Sequence, residues 1–316
     1  MSLMEIKQPL IVILGPTGVG KTEFSLQLAE VIGAEIISAD SRLFYRGMNI
    51  GTAKPSSAEM KRIRHHLIDV CNPDQNWSLA LYQTAIKSTI EDIYSRGKIP
   101  MLVGGTGQYI KAVVDGWDLP SQEPDDPLRG ILEQIAHEKG KEAMYRILVR
   151  MDPKTLAYVE YQNTRRVVRA LEVILRTGKP FSDLRQIKKV PYSVFQIGIK
   201  RDRKNLYERI DQRIEQMFVN GLVDEVHLLL QKGFHRDLPS MSAIGYREVC
   251  AYLNHEISLD EAKLLMRRFT RQYVRRQANW FKESDPQIHW FDADNLQLAD
   301  VLLLLGDASN WIEPKG

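Results

Sequence analysis

The run Gly15-Pro16-Thr17-Gly18-Val19-Gly20-Lys21-Thr22 has the residue types and spacing of a phosphate cradle. Glycines let the backbone wrap an anion with its N–H groups, and a following helix N-terminus adds partial positive charge. Lys21 brings a full charge, and the Thr22 hydroxyl suits Mg²⁺. The pattern G-x-x-x-x-G-K-T is a P-loop, and its surroundings fit. Leu10–Leu14 reads as a strand, and the residues from Glu23 to Ala29 have helical character. The chemistry licensed is the grip of a di- or triphosphate by Gly15, Thr17, Gly18, Val19, Gly20, Lys21 and Thr22, with Thr22 as metal ligand. The loop alone leaves open what happens to the phosphate.

Asp40 follows a second candidate strand, Glu35–Ser38, in Ser38-Ala39-Asp40-Ser41-Arg42-Leu43-Phe44-Tyr45. Strand C-termini line the ligand crevice of an open α/β sheet. An aspartate there serves as Mg²⁺ ligand or general base, or caps its own turn. Gly51-Thr52-Ala53-Lys54-Pro55 is a small-residue loop with one cation, suited to an anion contact or to a solvated turn. Met101-Leu102-Val103 runs into Gly104-Gly105-Thr106-Gly107, where nucleotide-hydrolysing P-loop enzymes usually place a Mg²⁺-binding aspartate. Glycines there leave room for a flat or bulky ligand, or for tight strand–helix packing, and Thr106 can hydrogen-bond. His65 and His66 have no further ligands nearby and read as hydrogen-bonding residues at a strand start.

These residues need a scaffold that gathers strand ends. Further candidate strands are 66–70, 99–103, 194–199 and 288–291. Helical patterns fall at about 21–32, 56–62, 78–96, 107–115, 203–232 and 258–282. Strand–helix alternation behind a P-loop predicts an α/β fold with a parallel, doubly wound sheet. Gly116, Pro120, Pro124, Asp125, Asp126 and Pro127 mark a boundary. The stretch beyond it shows only helical periodicity. The expected organisation is a P-loop core, 1–118 and 188–316, with an all-helical insertion at 119–187.

Hydrophobic content of 44% and charged content of 26% over 316 residues suit a globular protein with a large core. No apolar run reaches the roughly 20 residues of a membrane span, and no signal-type apolar stretch precedes Pro9. Cys71 and Cys250 stand far apart without metal spacing, which predicts a reduced, cytoplasmic setting. The net charge of +3 says little, but its distribution says more. From Ala262 to Lys282 there are seven Lys and Arg and no acidic residue. Arg267, Arg271 and Arg275 recur every four residues beside Arg268 and Arg276, with Tyr273, Trp280 and Phe281 interleaved. Arg165, Arg166 and Arg169 form a second helical patch. Such stripes are solvated faces or phosphate-tracking surfaces, and the missing acids and interleaved aromatics favour the second.

Taken together, the segments resemble the tRNA dimethylallyltransferase family. The resemblance runs in order from about Pro9 to Trp290. It is carried by the P-loop, Ser38–Pro55, His65–Asp69, Gly104–Tyr109, Arg165–Glu172, Ala243–Glu248 and Thr270–Phe281. Ser38–Pro55 and Thr270–Phe281 are the specific parts. Leu43 stands where many members carry Gln, and Gly18-Val19 where Ala-Ser or Ala-Val is frequent; both positions vary in the family.

The resemblance implies transfer of a dimethylallyl group from its diphosphate to N6 of adenosine 37 in a tRNA anticodon loop, with Mg²⁺ as cofactor. It implies Asp40 as general base, with Lys21, Thr106 and Arg209 as further catalytic residues. The alternative for Arg209 is an ion pair with Glu208 or Asp211. The implied tRNA-facing set is Asp40, Ser41, Arg42, Leu43, Thr106, Arg129, Arg165, Arg166, Arg169, Ser242, Gly245, Tyr246, Arg247, Arg275, Arg276, Gln277, Trp280 and Lys282. The implied partners are the tRNA anticodon stem-loop and dimethylallyl diphosphate, handled by a monomer without a membrane. Competing readings are a P-loop small-molecule kinase, a free-adenylate isopentenyltransferase and a nucleotide-sensing nucleic-acid switch. The missing carboxylate after Val103 argues against the kinase. The insertion and the basic C-terminal run favour a macromolecular acceptor.

Overall fold

The structure is a computed structural model and describes residues 8–118, 125–184 and 186–307. In chain order the first stretch holds β1 (Pro9–Leu14), α1 (Lys21–Ile32), β2 (Ala34–Ser38), α2 (Ser57–Arg62), β3 (His65–His66), α3 (Leu79–Ser95), β4 (Ile99–Gly104) and α4 (Gly107–Val114). Then come β5 (Trp117–Asp118), α5 (Asp126–Lys139), α6 (Lys141–Met151), a 3₁₀ turn (Pro153–Ala157), α7 (Thr164–Thr177), α8 (Phe181–Leu184) and β6 (Gln186–Ile187). The chain closes with β7 (Ser193–Lys200), α9 (Arg203–Val219), α10 (Leu222–Gln231), α11 (Tyr246–Leu253), α12 (Leu259–Ala278), β8 (Ile288–Asp292) and α13 (Leu298–Asp307). Two compact units result: Met1–Val114 with Pro191–Gly316, and Asp115–Val190. The second begins and ends three to four residues outside the expected 119–187. Pro120 and Pro124, two of the boundary markers, lie outside the described residues.

In the first unit six strands form one sheet in the order β3-β2-β4-β1-β7-β8, and every pairing is parallel. β1 sits inside this order, and Leu10, Ile11, Val12, Ile13 and Leu14 are all buried. A strand covered on both faces reads as a continuous apolar run for that reason. Leu14 pairs with Gly104, and Val103 with Ser38, so the carboxyl ends of β1, β2 and β4 lie side by side. The P-loop, Asp40 and the Gly104–Thr106 turn leave from those ends.

Several elements differ from expectation. The strand expected at 66–70 stops after His66, because Leu67 (φ 57°) and Asp69 (φ 55°) take left-handed conformations that end an extended run. His66 shares a 2.6 Å hydrogen bond with Glu35, and His65 one of 2.8 Å with the Ile63 carbonyl oxygen, so both histidines are structural. The long helix expected at 203–232 is two helices, broken where Gly221 adopts φ 94°. Helices α11 and α13 carry no counterpart in the sequence reading. Among the described residues no helix is long and apolar enough to cross a membrane.

The second unit is built on α7. Asn163 caps its start by accepting from the Arg166 N–H, and Gly178 (φ 66°) ends it. Val167, Val168, Ala170, Leu171 and Ile174 pack with Leu132, Ala136, Met144 and Leu148 from α5 and α6. The unit is not wholly helical, since β5 and β6 pair as a short antiparallel ribbon.

Candidate active site

Two cavities open at the carboxyl ends of the strands. The first, of about 580 Å³, is lined by Thr17, Gly18, Gly20, Lys21 and Thr22 of the P-loop, by Asp40 and Leu43, and by Arg209 and Arg213 of α9. Gly18 (φ 82°) and Gly20 (φ 114°) adopt conformations that suit glycine. Gly20 caps α1 without a side chain, so the first N–H groups of that helix stay unused by a cap. Lys21 Nζ donates to the carbonyl oxygens of Gly15 (2.9 Å) and Pro16 (2.8 Å). Burial pushes the Lys21 ammonium down to about 8, against the pull of Asp40 and with a smaller push from Arg213. Arg209 Nε donates to the Gly18 carbonyl oxygen at 3.3 Å. Its alternative partner Asp211 is bound by Arg271 at 2.6 Å. Burial also lowers Arg213, again opposed by Asp40.

The second cavity, of about 430 Å³, shares Thr17, Gly18, Asp40, Thr52 and Arg213 with the first. Its other walls include Ser41, Arg42, Thr106, Ser242, Arg247, Phe269, Tyr273 and Arg276. Asp40 therefore lies on the boundary of both spaces. Its Oδ1 also accepts from the Arg42 N–H at 3.0 Å, so the turn-capping role is real and leaves the other oxygen to the cavities. Thr106 Oγ1 and Tyr273 Oη stand 3.5 Å apart. Burial pushes the Tyr273 hydroxyl up to about 12, with Asp40 adding to the shift, so it stays neutral.

Several residues of the expected nucleic-acid face point into the protein instead. Tyr246 is fully buried; its hydroxyl donates to Glu225 at 2.6 Å and its ring fills the space where a Cβ on Gly51 would sit. Glu225 also accepts from the N–H groups of Asn49, Ile50 and Gly51, and so clamps that loop. Gly245 is buried and starts α11 with its N–H donating to Glu248 at 2.7 Å. Gln277 is buried between Thr17 and Gly105. Arg42 donates to the Pro239 carbonyl oxygen at 3.1 Å while lining the second cavity. Lys54 is engaged inside the protein: its ammonium donates to the Tyr45 carbonyl oxygen and Asn49 Oδ1 and pairs with the Asp69 carboxylate.

The glycine turn also serves the protein's own packing, and Gly104 lines the first cavity as well. A Cβ on Gly104 would come 2.4 Å from the Ala39 carbonyl oxygen, one on Gly105 2.3 Å from Gln277 Nε2, and one on Gly107 2.1 Å from the Trp280 ring. Trp280 is thus packed on the start of α4.

The basic stripe of α12 divides. Arg267 pairs with Glu215, and Arg271 with Asp211 while lying over the Tyr207 ring. These two arginines are held by carboxylates of α9, 52 and 60 residues away in sequence. Arg275, Arg276 and Lys282 are exposed, and Arg276 reaches the second cavity. In the second unit Arg165 and Arg166 are exposed. Arg129 and Arg169 instead converge on Glu172, at 2.8 Å and 3.1 Å. Glu172 has no exposed surface; these arginines and the Asp125 N–H keep its carboxyl below the usual range although burial alone would raise it.

Sequence reading missed Arg213 and the cavity position of Tyr273. Arg213 lies four residues after Arg209, one helical turn on, and that spacing was its signal. Among the described residues no cluster of three or more His, Cys, Asp and Glu could hold a metal. The Thr22 hydroxyl is an oxygen donor of the kind Mg²⁺ takes, and it would hold the ion together with oxygens supplied from outside the protein.

Comparison with known proteins identifies the family. Residues 43–284 match the family model described as IPP transferase. A tRNA dimethylallyltransferase of Roseiflexus sp. (strain RS-1) is 47% identical over 302 residues, covering 96% of this chain and 94% of that protein. The crystal structure of a full-length tRNA isopentenylpyrophosphate transferase from Bacillus halodurans superposes with a TM-score of 0.71 at 38% identity, over 96% of this chain and 97% of the other. A eukaryotic dimethylallyltransferase captured acting on tRNA gives 0.81 at 26% identity, over 98% and 81%. With strand ends, P-loop and two cavities meeting at Asp40, this chain belongs to the IPP transferase family of tRNA-modifying enzymes.

Proposed function

We propose that this protein transfers the dimethylallyl group of dimethylallyl diphosphate to N6 of adenosine 37 in tRNA anticodon loops and releases pyrophosphate. The observation that carries the reading is Asp40 on the shared boundary of the two cavities. The first cavity receives the diphosphate and the second the adenine. As the allylic carbon–oxygen bond breaks, negative charge grows on the leaving pyrophosphate. Lys21, the P-loop N–H groups and Arg209 and Arg213 are placed to meet it. A Mg²⁺ held by Thr22 would supply further charge stabilisation there.

The new bond forms between the allylic carbon and N6. Conjugation into the ring makes that amine a weak nucleophile. Asp40 accepts the amine proton as the bond forms, so a neutral secondary amine is left on the base. Thr106 and Tyr273, both on the acceptor side, orient the adenine edge. Exposed Arg275, Arg276, Lys282, Arg165 and Arg166 supply phosphate contacts. Cys71 and Cys250 are free and buried, in keeping with a cytoplasmic setting.

The test is incubation with Mg²⁺, dimethylallyl diphosphate and tRNA, followed by mass analysis of the tRNA. A gain of one dimethylallyl group at adenosine 37 without ATP is the expected result. A phosphorylated product, or modification of free AMP but not of tRNA, would overturn the reading.

A further inference from the structure

We infer that Gln277 is a positioning residue of the diphosphate site and not a contact to the nucleic acid. The inference rests on reading the P-loop as that site. Gln277 sits on α12, whose neighbouring Tyr273 and Arg276 line the acceptor cavity, yet it lines neither cavity itself. Its side chain is 5% exposed. Oε1 accepts from the Thr17 N–H at 3.0 Å, and Nε2 donates to the Gly105 carbonyl oxygen at 2.8 Å. A Cβ on residue 105 would stand 2.3 Å from Nε2 and 2.9 Å from the Gly15 carbonyl oxygen. Glycine at 105 therefore provides the space the carboxamide occupies.

The bond matters because of what holds the loop otherwise. Lys21 reaches across to the carbonyl oxygens of Gly15 and Pro16. A diphosphate draws the ammonium to its own oxygens, and those two carbonyls lose their donor. Gln277 grips the next residue through the Thr17 N–H, which is therefore not among the loop N–H groups left to the ligand. It holds the loop in shape while Lys21 changes partner. Only an amide does both jobs. A carboxylate keeps the acceptor, loses the donor and places negative charge beside a site made for an anion. The helix that borders the acceptor cavity is thereby fastened to the loop that borders the donor cavity.

The test uses full-length Gln277→Glu, Gln277→Ala and Gly105→Ala proteins. Mg²⁺-pyrophosphate binding is measured by calorimetry, and binding of an anticodon stem-loop RNA across a salt series. For Gln277→Glu the pyrophosphate Kd rises at least about tenfold, with a parallel rise in KM for dimethylallyl diphosphate. Gln277→Ala shows a smaller rise. RNA affinity and its salt slope stay at wild-type values in both. Gly105→Ala crowds both the carboxamide and the Gly15 carbonyl oxygen, so it is read by difference: its cost in pyrophosphate affinity is smaller in the Gln277→Ala background than in the wild type. Gln277→Ala carries the test should the carboxylate variant not fold. Wild-type pyrophosphate affinity in the variants, or a loss confined to RNA binding, overturns the inference. Failure of the wild-type protein to bind pyrophosphate would instead overturn the reading of the P-loop, and this inference with it.

Discussion

The P-loop and helix α12 both bring cations to the paired cavities, and they hold them in different ways. Lys21 rests on the carbonyl oxygens of Gly15 and Pro16, and Arg209 on that of Gly18. These are neutral acceptors, so the full charge remains available to a ligand. On α12, Arg267 and Arg271 rest on Glu215 and Asp211, and their charge is largely cancelled. Arg275 and Arg276, further along the helix, are exposed and have no carboxylate partner among the described ion pairs, and Arg268 is exposed as well. Spacing along a helix therefore locates cations without telling whether their charge is already spent.

The contrast is sharpest at Asp40, which serves both cavities. Asp40→Asn keeps size and polarity but cannot take the amine proton. Single-turnover prenylation should fall by about 10²–10⁴-fold while pyrophosphate and RNA binding change little. Normal single-turnover chemistry in this variant would reduce Asp40 to the cap of the Arg42 N–H.

Lys21 gives the next largest effect. Lys21→Ala should cost on the order of 3 kcal/mol in turnover, the worth of one preorganised donor to developing charge. The same residue sets a pH dependence. With its pKa near 8 in the free protein, the ammonium is charged below pH 8, and its own contribution to pyrophosphate binding is constant there. Above pH 8 the neutral amine predominates, and binding must take up a proton. Affinity should fall as pH climbs through 8 toward 9, and Lys21→Ala should abolish that fall. Calorimetry across pH 6.5–9 checks both.

The smallest effects separate the two halves of α12. Replacing Arg275 and Arg276 by Gln should flatten the log–log salt dependence of RNA binding by about 0.7–0.9 per lost contact. Replacing Arg267 and Arg271 by Gln should leave the slope alone. These pairs are about a third exposed, so each loss should cost only about 0.5 kcal/mol of stability. Equal slopes for both double variants would erase the distinction.

What could be read in advance follows the same divide. The P-loop, helix α1 and the place of Asp40 after β2 depend on residues adjacent in sequence, and local pattern identifies them. Breaks needed coordinates, because β3 ends at Leu67, a residue type that seldom takes the left-handed conformation it adopts there. Inward-facing members of the nucleic-acid set were hidden for another reason. Gln277 and Tyr246 find their partners at Thr17 and Glu225, and only folding brings those residues close. Arg213 was within reach, one turn beyond Arg209 on the same helix.

The Trp280 ring occupies the place a side chain would take at residue 107. The two positions share one volume, so neither can change size by itself. A methyl group at 107 demands a smaller residue at 280, and a lone change at either end leaves overlap or a void. Substitutions at these distant points of the chain should be tolerated as pairs, so a library randomised at both positions should return compensating combinations far more often than single changes.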